Sequence, residues 1–340
     1  MQIEDISEPH KIRISDQCSN PSSRSSPKFV RGRGRVPPEA GRTHADPSSR
    51  LVLRELLRVY CTSERETNGS RKIMNTITAI RRSPLIFFFL VFALTIPFWV
   101  LGTVVKVEGL PDNLPLTDVG ATFVPLIAAS ILVYREEKFG GVKRLLRKAF
   151  DCKRIKQKIW YVPIIFLMPL LYILTYWVMR LIGLLLPTEW HIPLLTPLLF
   201  IGFFIAAAGE ELGYMGYVID PMQERWSALT TCLIVGPVWA IWHFPSMIQI
   251  GQTPTLMAWG FLATVGFRIL YVWLYNNTGR SVFGVILFHA MGNTGRSVFP
   301  GGRSHFELAD AAVGYSIIAV TAVIVIFLWG SKTLARYRYA

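Results

Sequence analysis

Four polar clusters interrupt runs that are otherwise apolar. Glu210 and Glu211 stand together in Phe203-Phe204-Ile205-Ala206-Ala207-Ala208-Gly209-Glu210-Glu211-Leu212-Gly213-Tyr214. His243 lies in Trp239-Ala240-Ile241-Trp242-His243-Phe244-Pro245, His289 and Asn293 in Phe288-His289-Ala290-Met291-Gly292-Asn293, and Arg268 in a run between them. An ionisable group in hydrocarbon is costly, so each is a functional candidate by default. Carboxylates and imidazoles do general acid–base chemistry, and an amide N–H can stabilise an oxyanion. Adjacent residues on a helix project about 100° apart. Glu210 and Glu211 therefore cannot share a face: one can line a cavity while the other braces a neighbouring helix. His289 and Asn293, four apart, do share a face. Gly209, Gly213 and Gly216 allow close helix approach. A Glu, two His and an Asn from three segments can then surround one buried water. Taken singly, each residue also has a plainer reading: a lone His as an interhelical hydrogen-bond partner, or a lone Glu as a proton or cation site in a transporter.

The elements that must position these groups follow from composition. Of 340 residues, 51% are hydrophobic and only 17% charged, with a mean hydropathy of +0.38, whereas soluble domains carry about 25% charge. This excludes a disordered, collagen-like or coiled-coil protein and argues against a soluble enzyme. Eight apolar runs approach the roughly 20 residues a membrane helix needs: Leu85–Val105, Val119–Tyr134, Ile159–Leu186, Pro193–Tyr217, Leu229–Ile250, Leu256–Tyr275, Ser281–Gly292 with a short extension, and Ala312–Gly330. The second and seventh are short. None alternates with the period of two that barrel strands require. The expected fold is all-α, a polytopic bundle of about eight transmembrane helices around a cavity. The four Cys are far apart, with no CxxC, and support neither a zinc ribbon nor a disulfide framework.

Lys and Arg placement sets the expected orientation. Arg71, Lys72, Arg81 and Arg82 precede the first run, and ten basic residues fill Arg135–Lys158. Pro187–Ile192 and Gly251–Thr255 contain none, Arg225 and Arg280 mark two further inner loops, and Lys332, Arg336 and Arg338 lie near the C-terminus. A multi-pass cell-membrane protein with both termini cytoplasmic is expected. Arg296 and Arg303 dissent, falling outside on this scheme. Arg135–Lys158 reads either as an amphipathic inner-leaflet helix, with Val142, Leu145, Leu146 and Ala149 at helical spacing, or as a purely topogenic loop. The net charge of +14 fits basic loops beside membrane spans, so no nucleic-acid partner is expected despite the Arg31-Gly32-Arg33-Gly34-Arg35 run. Residues 1–73 are polar and rich in Ser, Arg, Pro and Gly, a composition expected to be disordered, with one short amphipathic helix at Leu51–Tyr60. Met74 opens directly into the first apolar run and is the expected natural start, so that 74–340 forms the membrane domain.

Three segments in chain order resemble a known family. Glu-Glu-Leu-Gly-Tyr-Met-Gly-Tyr (210–217), Trp-Ala-Ile-Trp-His-Phe-Pro (239–245) and His-Ala-Met-Gly-Asn (289–293) are similar to the EExxxR, FxxxH and HxxxN/D motifs of the CPBP intramembrane proteases. These are the CAAX proteases and bacteriocin-processing enzymes, also called the Abi or type II CAAX prenyl endopeptidase family. The resemblance covers about residues 190–300 and implies an eight-helix membrane peptidase. Two positions depart from it: Trp239 replaces the Phe of FxxxH, and Met215 replaces the Arg of EExxxR. Arg268 is the expected source of the missing cation for Glu211.

The resemblance implies that Glu210, assisted by His243, activates a water, that His289 and Asn293 stabilise the oxyanion, and that Glu211 supports the geometry. A zinc mechanism stays open, with Glu210, His243 and His289 as ligands. The metal-free route is favoured because Asn293 is a poor zinc ligand and a good oxyanion donor. Expected partners are the bilayer and a membrane peptide or lipid-anchored protein substrate. The alternative class is a transporter or scaffold that keeps the fold. Transporters usually carry internal repeats with matched helix breaks, and the Gly209-Glu210-Glu211 break has no twin.

Overall fold

The structure, a computed structural model, describes residues 82–104, 116–188, 192–300 and 311–335. The expected disordered segment 1–73, its short helix at 51–60 and the expected start at Met74 lie outside the described residues, as does Arg303. The helices are α1 (Pro84–Val104), α2 (Leu116–Ala121), α3 (Val124–Arg147), α4 (Tyr161–Leu181), α5 (Thr196–Gly213), α6 (Ile219–Gln223), α7 (Ala228–Gln249), α8 (Pro254–Asn277), α9 (Val282–Ser297) and α10 (Ala311–Trp329). No strand occurs among the described residues. The fold is all-α.

Seven helical stretches among the described residues are long and apolar enough to cross a membrane, and the chain is an integral, multi-pass membrane protein. Large side chains such as Leu85, Phe89 and Leu194 point outward, 78%, 71% and 96% exposed, as lipid contact requires. The seventh expected span, Ser281–Gly292, differs. α9 has 16 residues and rises about 24 Å, short of the roughly 30 Å hydrocarbon core. It packs instead against α4, α5 and α8, with its motif histidine buried. The segment after Tyr134 is also clearer than its sequence: α3 runs on to Arg147, interrupted by a non-helical Lys138. Leu145 and Ala149 join the buried core while Leu146 stays exposed, so the segment packs inward along one side.

Helix ends are set by local chemistry. Ser227, Thr253 and Ser281 cap α7, α8 and α9 by accepting from the backbone N–H three residues on, at 3.0, 3.3 and 3.2 Å. Asp151 reinforces the last cap, accepting from the Ser281 hydroxyl at 2.7 Å and the Phe283 N–H at 3.1 Å. The bundle closes where small residues face backbone. A Cβ on Gly209 would sit 2.7 Å from the Thr122 carbonyl oxygen, and one on Gly213 2.5 Å from that of Pro125. These glycines bring α5 against the start of α3. Directly after Gly213 the chain makes one π-helical turn, Tyr214–Val218. Lys148 Nζ donates to the Gly216 carbonyl there at 2.7 Å.

Gly213→Ala is expected to lower stability in detergent by about 1–3 kcal/mol, because backbone atoms must move to admit the methyl group. Gly202→Ala, on the same helix with nothing within 4 Å of its Cβ position, is the matched control. Equal thermal midpoints for the two variants would contradict this packing.

Candidate active site

The two glutamates diverge as their helical offset requires. Glu210 faces a cavity of about 190 Å³ whose walls also include Trp239, His243, His289, Asn293 and Arg296. Glu211 points the other way and is fully buried. Its Oε2 lies 2.9 Å from Arg268 Nη1, and its Oε1 lies 3.2 Å from His289 Nδ1. One carboxylate thus meets the cavity and the other ties α5 to α8 and α9.

The Arg268 pairing compensates for a change within α5's own continuation. The guanidinium lies 3.4 Å from the Met215 sulfur, beside the position where the motif pattern has an arginine. A cation from α8 therefore stands next to residue 215 in place of one from residue 215. Three aromatic faces enclose it: Trp239, Tyr214 and Tyr271, with ring centroids 4.3, 4.9 and 5.4 Å from Cζ. Its Nε and Nη2 meet no hydrogen-bond acceptor among the described residues, so cation–π contact takes their place.

Glu210 is held by two donors. Trp239 Nε1 donates to Oε2 at 2.8 Å, and Thr122 Oγ1 donates to Oε1 at 3.1 Å. A phenylalanine at 239 could not make the first bond, so the departure from FxxxH adds a hydrogen bond at the carboxylate itself. Trp239 also separates the two histidines, its ring centroid 5.7 Å from that of His243 and 5.7 Å from that of His289. His289, braced through Nδ1, presents Nε2 as its remaining ring nitrogen. Asn293, one turn further along α9, accepts at Oδ1 from Arg296 Nη2 at 3.2 Å.

A second cavity of about 450 Å³ meets the first at Asp118, Glu210, His243, Ser246, Asn293 and Arg296. Beyond them and Thr122 its walls are apolar, including Leu195, Leu198, Leu199 and Phe203 of the α5 region and Trp99 of α1. Glu210, Trp239, His243, His289 and Asn293 therefore surround one space, and Glu211 and Arg268 brace it from behind. Among the described residues no three His, Cys, Asp or Glu side chains gather to hold a metal ion. Glu210, His243 and His289 line the cavity wall without forming one coordination sphere, and Glu211 already engages His289 Nδ1. Thr122, Asp118 and Arg296 belong to the site but carry no motif signal. Only Arg296 stood out in the sequence, as a basic residue on the wrong side.

Residues 190–295 match a family model described as type II CAAX prenyl endopeptidase Rce1-like. The chain is 24% identical over 240 residues to CAAX prenyl protease 2 of Methanococcus maripaludis, covering 64% of this chain and 85% of the relative.

Replacing Arg268 with Met is expected to destabilise the protein by about 3–5 kcal/mol, since Glu211 would keep its burial and lose its cation. Because the guanidinium borders residue 215, Met215→Arg in the Arg268→Met background should recover most of that loss. Thermal unfolding in detergent reads both; a double variant no better than Arg268→Met would contradict the relocation of the charge.

Proposed function

We propose that this chain, which is similar to the type II CAAX prenyl endopeptidases, is a membrane peptidase that hydrolyses a peptide bond near the C-terminus of a lipid-anchored, prenylated substrate through a water activated by Glu210. The observation that carries this reading is the meeting of the two cavities at Glu210, His243 and Asn293. An apolar cavity accepts a lipid chain, a polar one holds the reacting groups, and a cysteine joining lipid to peptide would lie where they join.

The steps follow from the side chains. Glu210 takes a proton from water, with His243 beside it to orient the nucleophile. The oxygen adds to the carbonyl carbon, and negative charge gathers on the carbonyl oxygen. Asn293 Nδ2 and His289 Nε2, when protonated, donate to that oxygen. Collapse breaks the C–N bond, and the proton held by Glu210 passes to the departing amine. Glu211 keeps the imidazole of His289 in place through Nδ1, and Arg268 holds Glu211 in position through a close ion pair. Trp239 and Thr122 aim Glu210. In the membrane, Lys and Arg distribution favours both chain ends on the cytoplasmic side.

Purified protein in liposomes, given a farnesylated peptide with a fluorophore beyond the scissile bond, tests this reading. Glu210→Gln and His243→Ala should each reduce cleavage by about 10²–10⁴-fold, the usual contribution of a general base. Asn293→Ala should cost about 10²–10³-fold, as for a lost oxyanion donor. Trp239→Phe should cost about 10–100-fold, the value of one hydrogen bond to a charged group. Cleavage should persist after exhaustive chelation. Undiminished turnover by Glu210→Gln, or full loss on chelation restored by zinc, would defeat the mechanism.

A further inference from the structure

The two ends of the bundle differ in charge, and the cavities run toward only one of them. Contacts bring the described basic loops to the same end. The Asp151 carboxylate accepts from Ser281 at the start of α9, Arg154 Nη1 donates to the Gly279 carbonyl at 3.2 Å, and Arg280 lies 3.3 Å from Asp220. The Ala228 N–H donates to the Lys332 carbonyl at 2.9 Å. The ten Lys and Arg of Arg135–Lys158 therefore gather with Arg225, Arg280 and Lys332. Among the described residues the opposite end carries Arg180 and Arg296. Arg180 turns back to the Leu186 carbonyl at 3.3 Å, and Arg296 belongs to the cavity walls.

Glu210 lies near the middle of its span, Thr196–Gln223, so depth alone favours neither face. The walls do. From Glu210 the second cavity follows α5 back to Leu198 and Leu195. From His289 the first follows α9 forward to Arg296, and from Trp239 it follows α7 forward to Ile250. These helices alternate in direction, and each path leads away from the basic loops. Leu195, at the rim, is 65% exposed. Toward the basic loops the packing is closed. Met215, Val218, Cys232, Leu274, Val285 and Phe288 fill the π-helical turn and the turns of α7, α8 and α9 on that side. Each has no exposure, and none lines either cavity.

We propose that substrate reaches Glu210 from the face opposite the basic loops, which the Lys and Arg distribution makes the non-cytoplasmic face, and that the protein therefore cleaves membrane-anchored peptides displayed outside the cytoplasm. The inference rests on the peptidase reading above and narrows its substrate class by location. A peptide under attack lies extended, and its unpaired N–H and C=O groups do not cross hydrocarbon on their own. The chain has to enter through the cavities, and these lead to one face. A lipid anchor in the outer leaflet can stand beside the apolar walls at Leu198 and Leu199 while its peptide follows the polar walls to Glu210. A cytoplasmic peptide would meet the closed packing around Met215 and Phe288 instead. Arg296 then ceases to be an exception in the charge pattern: it is a wall residue, 3.2 Å from Asn293 Oδ1, and not part of a loop that sets orientation.

Accessibility and cleavage are measured separately so that the two readings can fail separately. Full-length protein is expressed in bacteria with Cys18→Ser, Cys61→Ser and Cys152→Ser; Cys232 stays, since it is fully buried. One version adds Lys153→Cys, at an exposed position of the basic end. Another adds Met247→Cys, which puts a thiol on the wall of the first cavity, with Thr264→Cys on the same wall as the second position should the first misfold. A sulfonated maleimide carries a charge that hydrocarbon excludes, so in intact spheroplasts it should label the Met247→Cys protein at least about tenfold more than the Lys153→Cys protein. Permeabilised spheroplasts should label both. Equal labelling of the two in intact spheroplasts, stronger labelling at position 153, or a cavity thiol that reacts only after permeabilisation would overturn the proposal. Right-side-out and inverted vesicles containing wild-type protein are then given a farnesylated peptide with a run of aspartates, which holds its backbone on the side of addition. The right-side-out vesicles should cleave it at least about tenfold faster, a difference that detergent removes. Equal rates before detergent, or faster cleavage by inverted vesicles, would overturn the proposal. No cleavage by either, in detergent as well, while the labelling pattern holds would defeat the peptidase reading and leave the outward cavity standing.

Discussion

The ion pair between Glu211 and Arg268 is the constraint on which the site depends. Both side chains have no exposure to solvent, and 2.9 Å separates their charged atoms. Removing each ion from water costs several kcal/mol, which is recovered only when the geometry is close and the remaining polar atoms find partners. Glu211 meets that condition with His289 on its second oxygen. Arg268 meets it with three aromatic faces. The pair therefore fixes the register of α5 against α8, and through His289 that of α9. A slip of one residue on any of the three helices would strand a charge in hydrocarbon. The same commitment of Glu211 leaves Glu210, 100° or so around the helix, as the carboxylate that faces the cavity.

Much of this was legible in the residues alone. Apolar run lengths located the long helices, because desolvated backbone leaves helices as the only unpaired way across a bilayer. The isolation of Glu210, Glu211, His243, His289 and Asn293 in such runs marked them out, since nothing but function or tight pairing retains such groups there. The offset of adjacent helical residues separated the roles of the two glutamates, and the absence of an arginine at Met215 pointed to Arg268. Other features were hidden for physical reasons. Thr122 and Asp118 lie in a helix entrance whose composition is ordinary, and their partners are 88 and 128 residues away in sequence. Such contacts have no local pattern to read. α9 was expected to span because its apolar residues are continuous, but continuity is also what a helix buried on all sides needs. Run length separates the two cases only when the helix is long. Arg296 looked like noise in the topology because charge placement is read loop by loop, whereas its place on the cavity wall depends on three-dimensional packing.

The two departures from the family pattern act together through one ring. An indole carries negative charge on its face and positive charge at its edge, most of all at N–H. Arg268 lies over the Trp239 face at 4.3 Å, and Glu210 accepts from the Trp239 edge at 2.8 Å. Each charge thus meets the part of the ring that favours it, and the ring keeps the cation and the cavity-facing carboxylate apart. A phenylalanine at this position would offer the face to a cation but no N–H to Glu210. An arginine from residue 215 would approach the ring from α5 rather than from α8. The aromatic change and the charge relocation are therefore parts of one arrangement, in which the cation that neutralises Glu211 is prevented from also neutralising Glu210. On the proposed mechanism that separation is what the chemistry requires: Glu210 is held by neutral donors from Trp239 and Thr122 and faces the cavity, where a general base would meet its water.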